Sequence, residues 1–203
     1  MECDSKIFHA KKDAEVGKIY TPYSTRRPPA NVPYLVDNLW EWDRENQKED
    51  YPSRRKAKFA SPKKEQARDS AYVDSLDQVY CVEFVGEATV AQMTTDKDAK
   101  EHKDIRALRK LIIQQLDGTE RRYSWASQNL DQKTNAGRLF QPCLTADEVE
   151  LILRETDELN PDHIREEIEF WDDVVPIEPG NLNNRFGEIF FEYEGGFELH
   201  PTS

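Results

Sequence analysis

Apolar and polar residues follow two patterns along this chain, one typical of strands and one typical of helices. Short segments with valine, isoleucine or aromatic residues predict strands at 5–10, 78–85 and 186–198, and residues 54–60 are predicted as a strand that enters a turn. Apolar spacings of three and four residues, or helix start signals, predict helices at 34–42, 61–72, 102–116, 145–158 and from 160 onward. The segments follow one another in irregular order without a repeat. This order predicts an α+β fold rather than regular βαβ units.

Three of the predicted helices begin with a capping signal. Ser61 and Pro62 suit the N-cap and the first helical position. Thr145 and Glu148 have the spacing of a capping box. Asn160 precedes Pro161, as Ser61 precedes Pro62. The segment 120–144 is weakly patterned and predicts no element.

The chain has 203 residues, which allow one domain, and we expect a single domain over 1–203. Its net charge of −12 is unevenly distributed. Residues 141–203 carry 17 acidic and 3 basic residues, and we expect this acidic third to be part of the same domain. Residues 1–140 have a net charge of +2, so they retain the capacity to present a basic face to a polyanion.

A basic run at 54–68 is the strongest candidate for such a face. Its positive residues are Arg54, Arg55, Lys56, Lys58, Lys63, Lys64 and Arg68. We interpret Arg54, Arg55 and Lys58 as substrate-binding residues that attract a polyanionic acceptor or the phosphates of a nucleotide.

Several classes of protein are disfavoured by what the sequence lacks. No apolar run reaches the roughly 18 residues of a membrane span, and residues 1–10 contain no apolar signal core. Three widely spaced cysteines favour a reducing compartment over a disulfide framework, so we expect a cytoplasmic protein. There is no GxGxxG, P-loop, HExxH or GxSxG motif, and the four dispersed histidines predict no metal site.

Three separated pieces of sequence carry the candidate chemistry. A histidine lies in an early strand (IFHA, 7–10), a serine lies where a strand meets a helix (FASP, 59–62), and a carboxylate heads a late strand (GEIFF, 187–191). In this order and context the set resembles the ADP-ribosyltransferase superfamily, in particular bacterial toxin-like mono-ADP-ribosyltransferases. The resemblance implies two small β-sheets split around an NAD cleft, with flanking helices.

The resemblance also implies roles for individual residues. His9 would hydrogen-bond the NAD ribose, Ser61 would orient the site, and Glu188 would be catalytic. Glu188 would contact the ribose 2′-hydroxyl and stabilise the oxocarbenium ion that forms as nicotinamide leaves. NAD would be the co-substrate, without a metal. Glu192 or Glu194 remains an alternative to Glu188, because a shift of one residue changes the face on which a side chain lies.

A proline-rich loop offers further NAD contacts. Four prolines exclude a regular helix between residues 19 and 33. Aromatic residues provide walls for nicotinamide and arginines provide forks for the pyrophosphate. The candidates are Tyr20, Tyr23 and Tyr34 for the walls, and Arg26 and Arg27 for the pyrophosphate. Tyr20, Tyr23 and Ser61 compete for the position that faces nicotinamide.

The implied function is transfer of ADP-ribose from NAD to a macromolecule, either a nucleic acid or a protein, which is a glycosyltransferase reaction. A catalytic domain of this kind suits an intracellular toxin of a toxin–antitoxin or antiviral, phage-defence system, with a neutralising antitoxin as a possible partner. Two other functions stay open at this point. One is an acidic interaction protein that docks a basic partner, and the other is an RNA-binding module that uses the basic run.

Overall fold

A computed structural model describes residues 4–22, 32–96, 98–115, 136–183 and 185–202. Its strands are β1 (Phe8–Ala10), β2 (Lys58–Ala60), β3 (Val79–Phe84), β4 (Ala88–Met93), β5 (Val174–Ile177), β6 (Ile189–Tyr193) and β7 (Phe197–Pro201). Its α-helices are α1 (Tyr34–Gln47), α2 (Lys64–Ser70), α3 (Asp104–Gln115), α4 (Ala146–Arg154) and α5 (Pro161–Glu166). The predicted α+β class is confirmed.

The described residues belong to two compact units, each built from separate stretches of chain. The first unit takes its residues from 1–25, 50–98 and 173–203, and it contains all seven described strands. The second takes its residues from 26–49 and 99–172 and is helical. The acidic third of the chain is therefore divided between the units, and a single domain over 1–203 stays a prediction.

Two antiparallel sheets form the first unit. Their strand orders are β1-β3-β7 and β2-β6-β4-β5. Side chains from both sheets share one apolar cluster, which includes the fully buried Ile7, Val82, Phe191 and Leu199. Among the described residues, an isolated bridge between Phe8 and Ser61 joins β1 to the end of β2. The two sheets are thus separate ladders that share a core and are linked by backbone hydrogen bonds at Ser61.

The chain passes between the two sheets twice at the same place. Residues 85–87 lead from β3 to β4, and residues 194–196 lead from β6 to β7. The two passages are hydrogen-bonded to each other, because the Val85 N–H donates to the Gly196 carbonyl and the Glu194 N–H donates to the Glu87 carbonyl. The segment 186–198, predicted as a strand, therefore contains β6 and the start of β7, which do not pair with each other, and Gly195 and Gly196 lie in the passage between the sheets.

This close approach needs glycine at position 195. A Cβ atom on Gly195 would lie 2.0 Å from the carbonyl oxygen of Val85, well inside van der Waals contact. The obstacle is backbone, so a rotamer change cannot remove it.

The second unit is organised around α1, whose predicted apolar face is confirmed. Leu35, Leu39 and Trp42 are all buried. Asn38, also buried on this helix, holds the segment 139–144: its side-chain amide donates to the carbonyls of Leu139 and Gln141, and its side-chain oxygen accepts from the Leu144 N–H.

Helix α4 begins as its sequence predicts. The Thr145 hydroxyl accepts from the Glu148 N–H, and the Glu148 carboxylate accepts from the Thr145 N–H. The predicted capping box is confirmed.

The predicted helix start at Ser61 is wrong. Helix α2 begins at Lys64, and the Ser61 backbone instead exchanges two hydrogen bonds with Phe8, each of 2.9 Å. The strand predicted over 54–60 is shorter in the structure, Lys58–Ala60. The residues before it form a turn in which the Ser53 carbonyl accepts from the Lys56 and Ala57 N–H groups.

Two further findings concern the cysteines and the helices. Cys81 is disulfide-bonded, so the expectation of reduced cysteines is wrong for this residue, whereas Cys143 is a free thiol. Within the described ranges, no helix is long and apolar enough to cross a bilayer.

We predict that Gly195→Ala destabilises the protein by about 3 kcal/mol, since the new methyl group would displace the Val85 backbone. Gly180→Ala is the matched control, because Gly180 has a φ of +95° but open space around it. It should cost only about 1 kcal/mol of conformational strain. Denaturant unfolding checks both values, and equal destabilisation would contradict the proposed clash.

Candidate active site

Glu188 lies immediately before β6, and its backbone is already part of the sheet. Its carbonyl accepts from the Met93 N–H, and the preceding Gly187 N–H donates to the Met93 carbonyl. Residues 189 and 191 face the shared core. Because side chains alternate along a strand, Glu188 and Phe190 lie on the opposite face.

Arg54 is the counter-ion of Glu188. Its Nη1 lies 2.5 Å from Oε1 of Glu188, and the side chains are only 6% and 11% exposed. The guanidinium also stacks over the rings of Phe59 and Phe190, at 4.7 and 5.1 Å from their centres. An ion pair enclosed in this way is poorly screened by water and fixes the direction of both side chains.

Glu188 is held close to the midpoint of its titration at neutral pH. Burial raises its pKa to about 7, the positive charge of Arg54 opposes that rise, and the charge of Asp98 and its hydrogen bond to Glu188 add to it. The carboxyl group therefore exchanges a proton in the pH range in which proteins work, which is typical of a functional carboxylate.

Ser61 lies at the junction of the two sheets and next to Glu188 in the strand register. In the pairing of β2 with β6, Ala60 is opposite Ile189, so the next step of the same register aligns Ser61 with Glu188. The backbone of Ser61 also forms the bridge to Phe8. The serine and the carboxylate that the sequence singled out, 127 positions apart, thus become neighbours in the register.

His9 follows Phe8 on β1 and reaches back to β2. Its Nδ1 lies 2.8 Å from the carbonyl oxygen of Phe59, and because a carbonyl only accepts, Nδ1 carries the proton and Nε2 is an acceptor. Burial lowers the pKa of His9 to about 4, the Phe59 carbonyl opposes this effect, and the charges of Lys58 and Lys11 add to it. The imidazole is therefore neutral at pH 7.

Tyr20 and His9 contact the same aromatic residue. Tyr20 stacks on Phe197 with 5.3 Å between ring centres, and the edge of His9 packs against the same ring at 6.2 Å. The Nζ atom of Lys11 lies 4.4 Å from the Tyr20 ring centre. An aromatic and cationic cluster thus surrounds His9.

Phe59 connects this cluster to the Arg54–Glu188 pair. Its carbonyl holds His9, and its ring contacts the Arg54 guanidinium. Tyr20, His9, Arg54 and Glu188 are thus linked through Phe197 and Phe59 within the first unit.

The other predicted residues are placed differently. Tyr34 is the first residue of α1 and belongs to the second unit. Arg55 is buried like Arg54, and Lys58 is half-buried beside His9. The exposed part of the predicted basic run is therefore smaller than its sequence indicates. Tyr23, Arg26 and Arg27 lie outside the described residues.

The two alternative glutamates occupy distinct positions. The Glu192 carboxylate accepts from the Ser53 N–H at 2.8 Å, and so it secures the turn that carries Arg54. Glu194 follows β6 and is exposed. Glu188 forms a buried ion pair with Arg54, and burial raises its pKa to about 7, which favours it as the reactive carboxylate.

The sequence did not reveal the partners of Glu188. The sequence places Arg54 in a basic run, which predicts an exposed side chain. No feature of the sequence distinguishes Asp98 from other acidic residues. A proline and serine directly before Arg54, and a strand four residues later, were the available signal for a structured arginine.

Comparisons of the chain with protein-family models, curated proteins and solved structures found no match. A function for this site is therefore argued from its own chemistry.

We predict that Glu188→Gln becomes more stable relative to the wild type as pH rises. The folded-state pKa of about 7 is above the ordinary glutamate pKa of 4.5, so this carboxyl contributes stability that is fully present below about pH 4.5 and is lost as pH rises through about 7. The change in the stability difference should approach about 3 kcal/mol. Denaturant unfolding between about pH 5 and pH 8 measures it.

The exposed carboxylate of Glu194 provides the control for this titration. Glu194→Gln should follow the wild type throughout the same pH range. A constant stability difference between Glu188→Gln and the wild type would contradict the raised pKa.

Proposed function

We propose that this chain is a mono-ADP-ribosyltransferase that cleaves NAD and transfers ADP-ribose to a macromolecule. The observation that supports this most directly is the junction of the two sheets: Ser61 directly follows Ala60 and Glu188 directly precedes its partner Ile189, and His9 lies beside the bridge from Ser61 to Phe8. These are the three residues on which the resemblance to the ADP-ribosyltransferase superfamily depends.

The proposed reaction needs a carboxylate where positive charge develops. The bond between ribose C1′ and the nicotinamide nitrogen breaks, and nicotinamide leaves with the bonding electrons. The ribose then carries positive charge, which ionised Glu188 stabilises strongly because the site is buried. The nucleophile of the acceptor attacks C1′ and loses its proton, so that ADP-ribose ends on the acceptor.

The surroundings of His9 fit the remainder of NAD. Its Nε2 is an acceptor for a ribose hydroxyl, because Nδ1 is held by the Phe59 carbonyl. Lys11 and Lys58 place positive charge near this ring, which suits a pyrophosphate. Tyr20 supplies an aromatic surface within the same cluster.

Arg54 has a supporting role in this mechanism rather than a place on an exposed acceptor-binding face. Its charge favours the ionised form of Glu188, against the effect of burial. It thereby makes the reactive form available near neutral pH. The acceptor remains a nucleic acid or a protein, and the exposed Lys56 and Lys63 retain some basic surface for the former. An intracellular toxin of a toxin–antitoxin or phage-defence system remains part of the proposal.

We predict that Glu188→Gln lowers nicotinamide release by about 10²- to 10³-fold, since it removes the charge that stabilises the transition state. Purified protein would be incubated with NAD and cell lysate, and released nicotinamide would be quantified. Glu192→Gln and Glu194→Gln are matched controls on the same strand and should retain most of the activity. Glutamine at 192 keeps an oxygen that can accept from Ser53.

Two results would contradict the proposed reaction. One is release that survives Glu188→Gln but is lost in Glu192→Gln, which would move the catalytic role to residue 192. The other is no release with any lysate together with no effect of NAD on the melting temperature. That outcome would favour the acidic interaction protein or the RNA-binding module.

We predict that kcat/KM for nicotinamide release rises with pH through about 7, because the ionised carboxylate is the reactive form. Arg54→Gln should move the midpoint to higher pH, since the charge of Arg54 lowers the pKa of Glu188. Initial rates over a pH series measure both midpoints. An unchanged midpoint in Arg54→Gln would show that another group controls the profile.

A further inference from the structure

A cleft of about 540 Å³ lies in the second unit, lined by the end of α1 and by α5. Charged residues surround it, with Ile168 and Trp171 as apolar lining. The proposed NAD site lies in the first unit, and none of its residues lines this cleft.

Two buried polar atoms, both on residues that line this cleft, make no hydrogen bond to the described residues. Asp43 is only 7% exposed in its side chain, yet its Oδ1 makes no hydrogen bond to the residues that the structure describes. Nε of Arg165 is also buried and makes no hydrogen bond to the described residues. The two atoms lie 3.7 Å apart, which is too far for a hydrogen bond between them. Buried donors and acceptors are rarely left in this state, so the pair indicates a missing third group.

Neighbouring side chains keep Arg165 from closing the gap. Its guanidinium stacks over Trp42 at 4.3 Å, and its Nη atoms lie within 4.0 Å of carboxylates of Asp162 and Glu150. The Trp42 ring is fixed in turn by a hydrogen bond of 2.8 Å to Glu150. A move of Arg165 toward Asp43 would sacrifice these contacts.

The charge of Asp43 is correspondingly poorly compensated. Burial raises its pKa to about 6, although Arg165 and Lys48 oppose the rise, and Asp172 and Asp104 add to it. A partner that donates a hydrogen bond to Oδ1 would offset the free-energy cost of burying this carboxylate.

The two atoms restrict the chemistry of that partner. It must donate to a carboxylate oxygen and accept from an N–H, and a hydroxyl group does both with one atom. An ammonium group donates but does not accept. A phosphate or carboxylate would accept, but it would meet the acidic rim of Asp162, Glu166 and Asp172. The same rim offers acceptors for additional hydroxyl groups.

We propose that this cleft binds a neutral polyhydroxyl ligand, a sugar or a related polyol, with one hydroxyl bridging Asp43 Oδ1 and Arg165 Nε. The inference is independent of the proposed NAD chemistry and stands or fails separately from it.

The test measures binding of glucose, galactose, mannose, ribose and myo-inositol to the full chain by calorimetry and ligand-observed NMR. Ethylammonium and inorganic phosphate are the cationic and anionic probes. We expect saturable binding of at least one polyol, with a Kd of about 1 mM or tighter, and weaker or no binding of the charged probes. No saturable binding of any polyol would overturn the proposal, as would tighter binding of ethylammonium.

Two variants test the bridging atoms. Asp43→Asn should weaken binding of the polyol by about tenfold, because a hydrogen bond to a neutral acceptor is weaker than one to a carboxylate. Arg165→Lys keeps the positive charge but removes the Nε–H, and it should weaken binding to a similar extent.

A second buried carboxylate on α1 serves as the matched control. Glu41 is paired with Arg44 at 2.9 Å, so Glu41→Gln should lower the melting temperature and leave polyol binding unchanged. Asp43→Asn should keep or raise the melting temperature, because it removes a poorly compensated buried charge. A lower melting temperature with unchanged binding in Asp43→Asn would show that Asp43 has a structural role instead.

Discussion

The first unit depends on one close approach between two stretches of backbone. Gly195 lies so near the Val85 carbonyl that both strand connections pass between the sheets side by side. Because β3 continues into β4 and β6 continues into β7 at this point, two small ladders share one core instead of forming a single sheet. A backbone bridge between Phe8 and Ser61 also links the ladders, and the candidate residues Ser61 and His9 lie at or next to it.

Burial determines the protonation states of the titratable side chains at this junction. A carboxylate removed from water resists ionisation, and an arginine in contact with it restores part of the lost stabilisation. Burial raises the pKa of Glu188 and the charge of Arg54 opposes the rise, so that this pKa is about 7. Burial and nearby lysines lower the pKa of His9, so its imidazole is neutral at pH 7. The site therefore combines a titrating carboxylate with a neutral imidazole acceptor, which suits stabilisation of a developing cation and recognition of a ribose.

Local patterns in the sequence predicted several elements, and non-local pairing determined the others. The capping box of α4 and the apolar face of α1 depend on neighbouring residues, so they could be predicted. Strand β4 is buried at successive positions, which hides the alternation of a strand, and β5 contains Pro176. His9, Ser61 and Glu188 were named from the sequence and their roles stay predictions, whereas the burial of Arg54 depends on a partner 134 positions away.

The most direct test of the account is a crystal structure of the protein with a non-hydrolysable NAD analogue. The account predicts that the Glu188 carboxylate accepts from the ribose 2′-hydroxyl at about 2.7 Å, and that Nε2 of His9 accepts from a second ribose hydroxyl. Binding of the analogue away from the junction, with Glu188 still in contact only with its protein partners, would contradict the central claim.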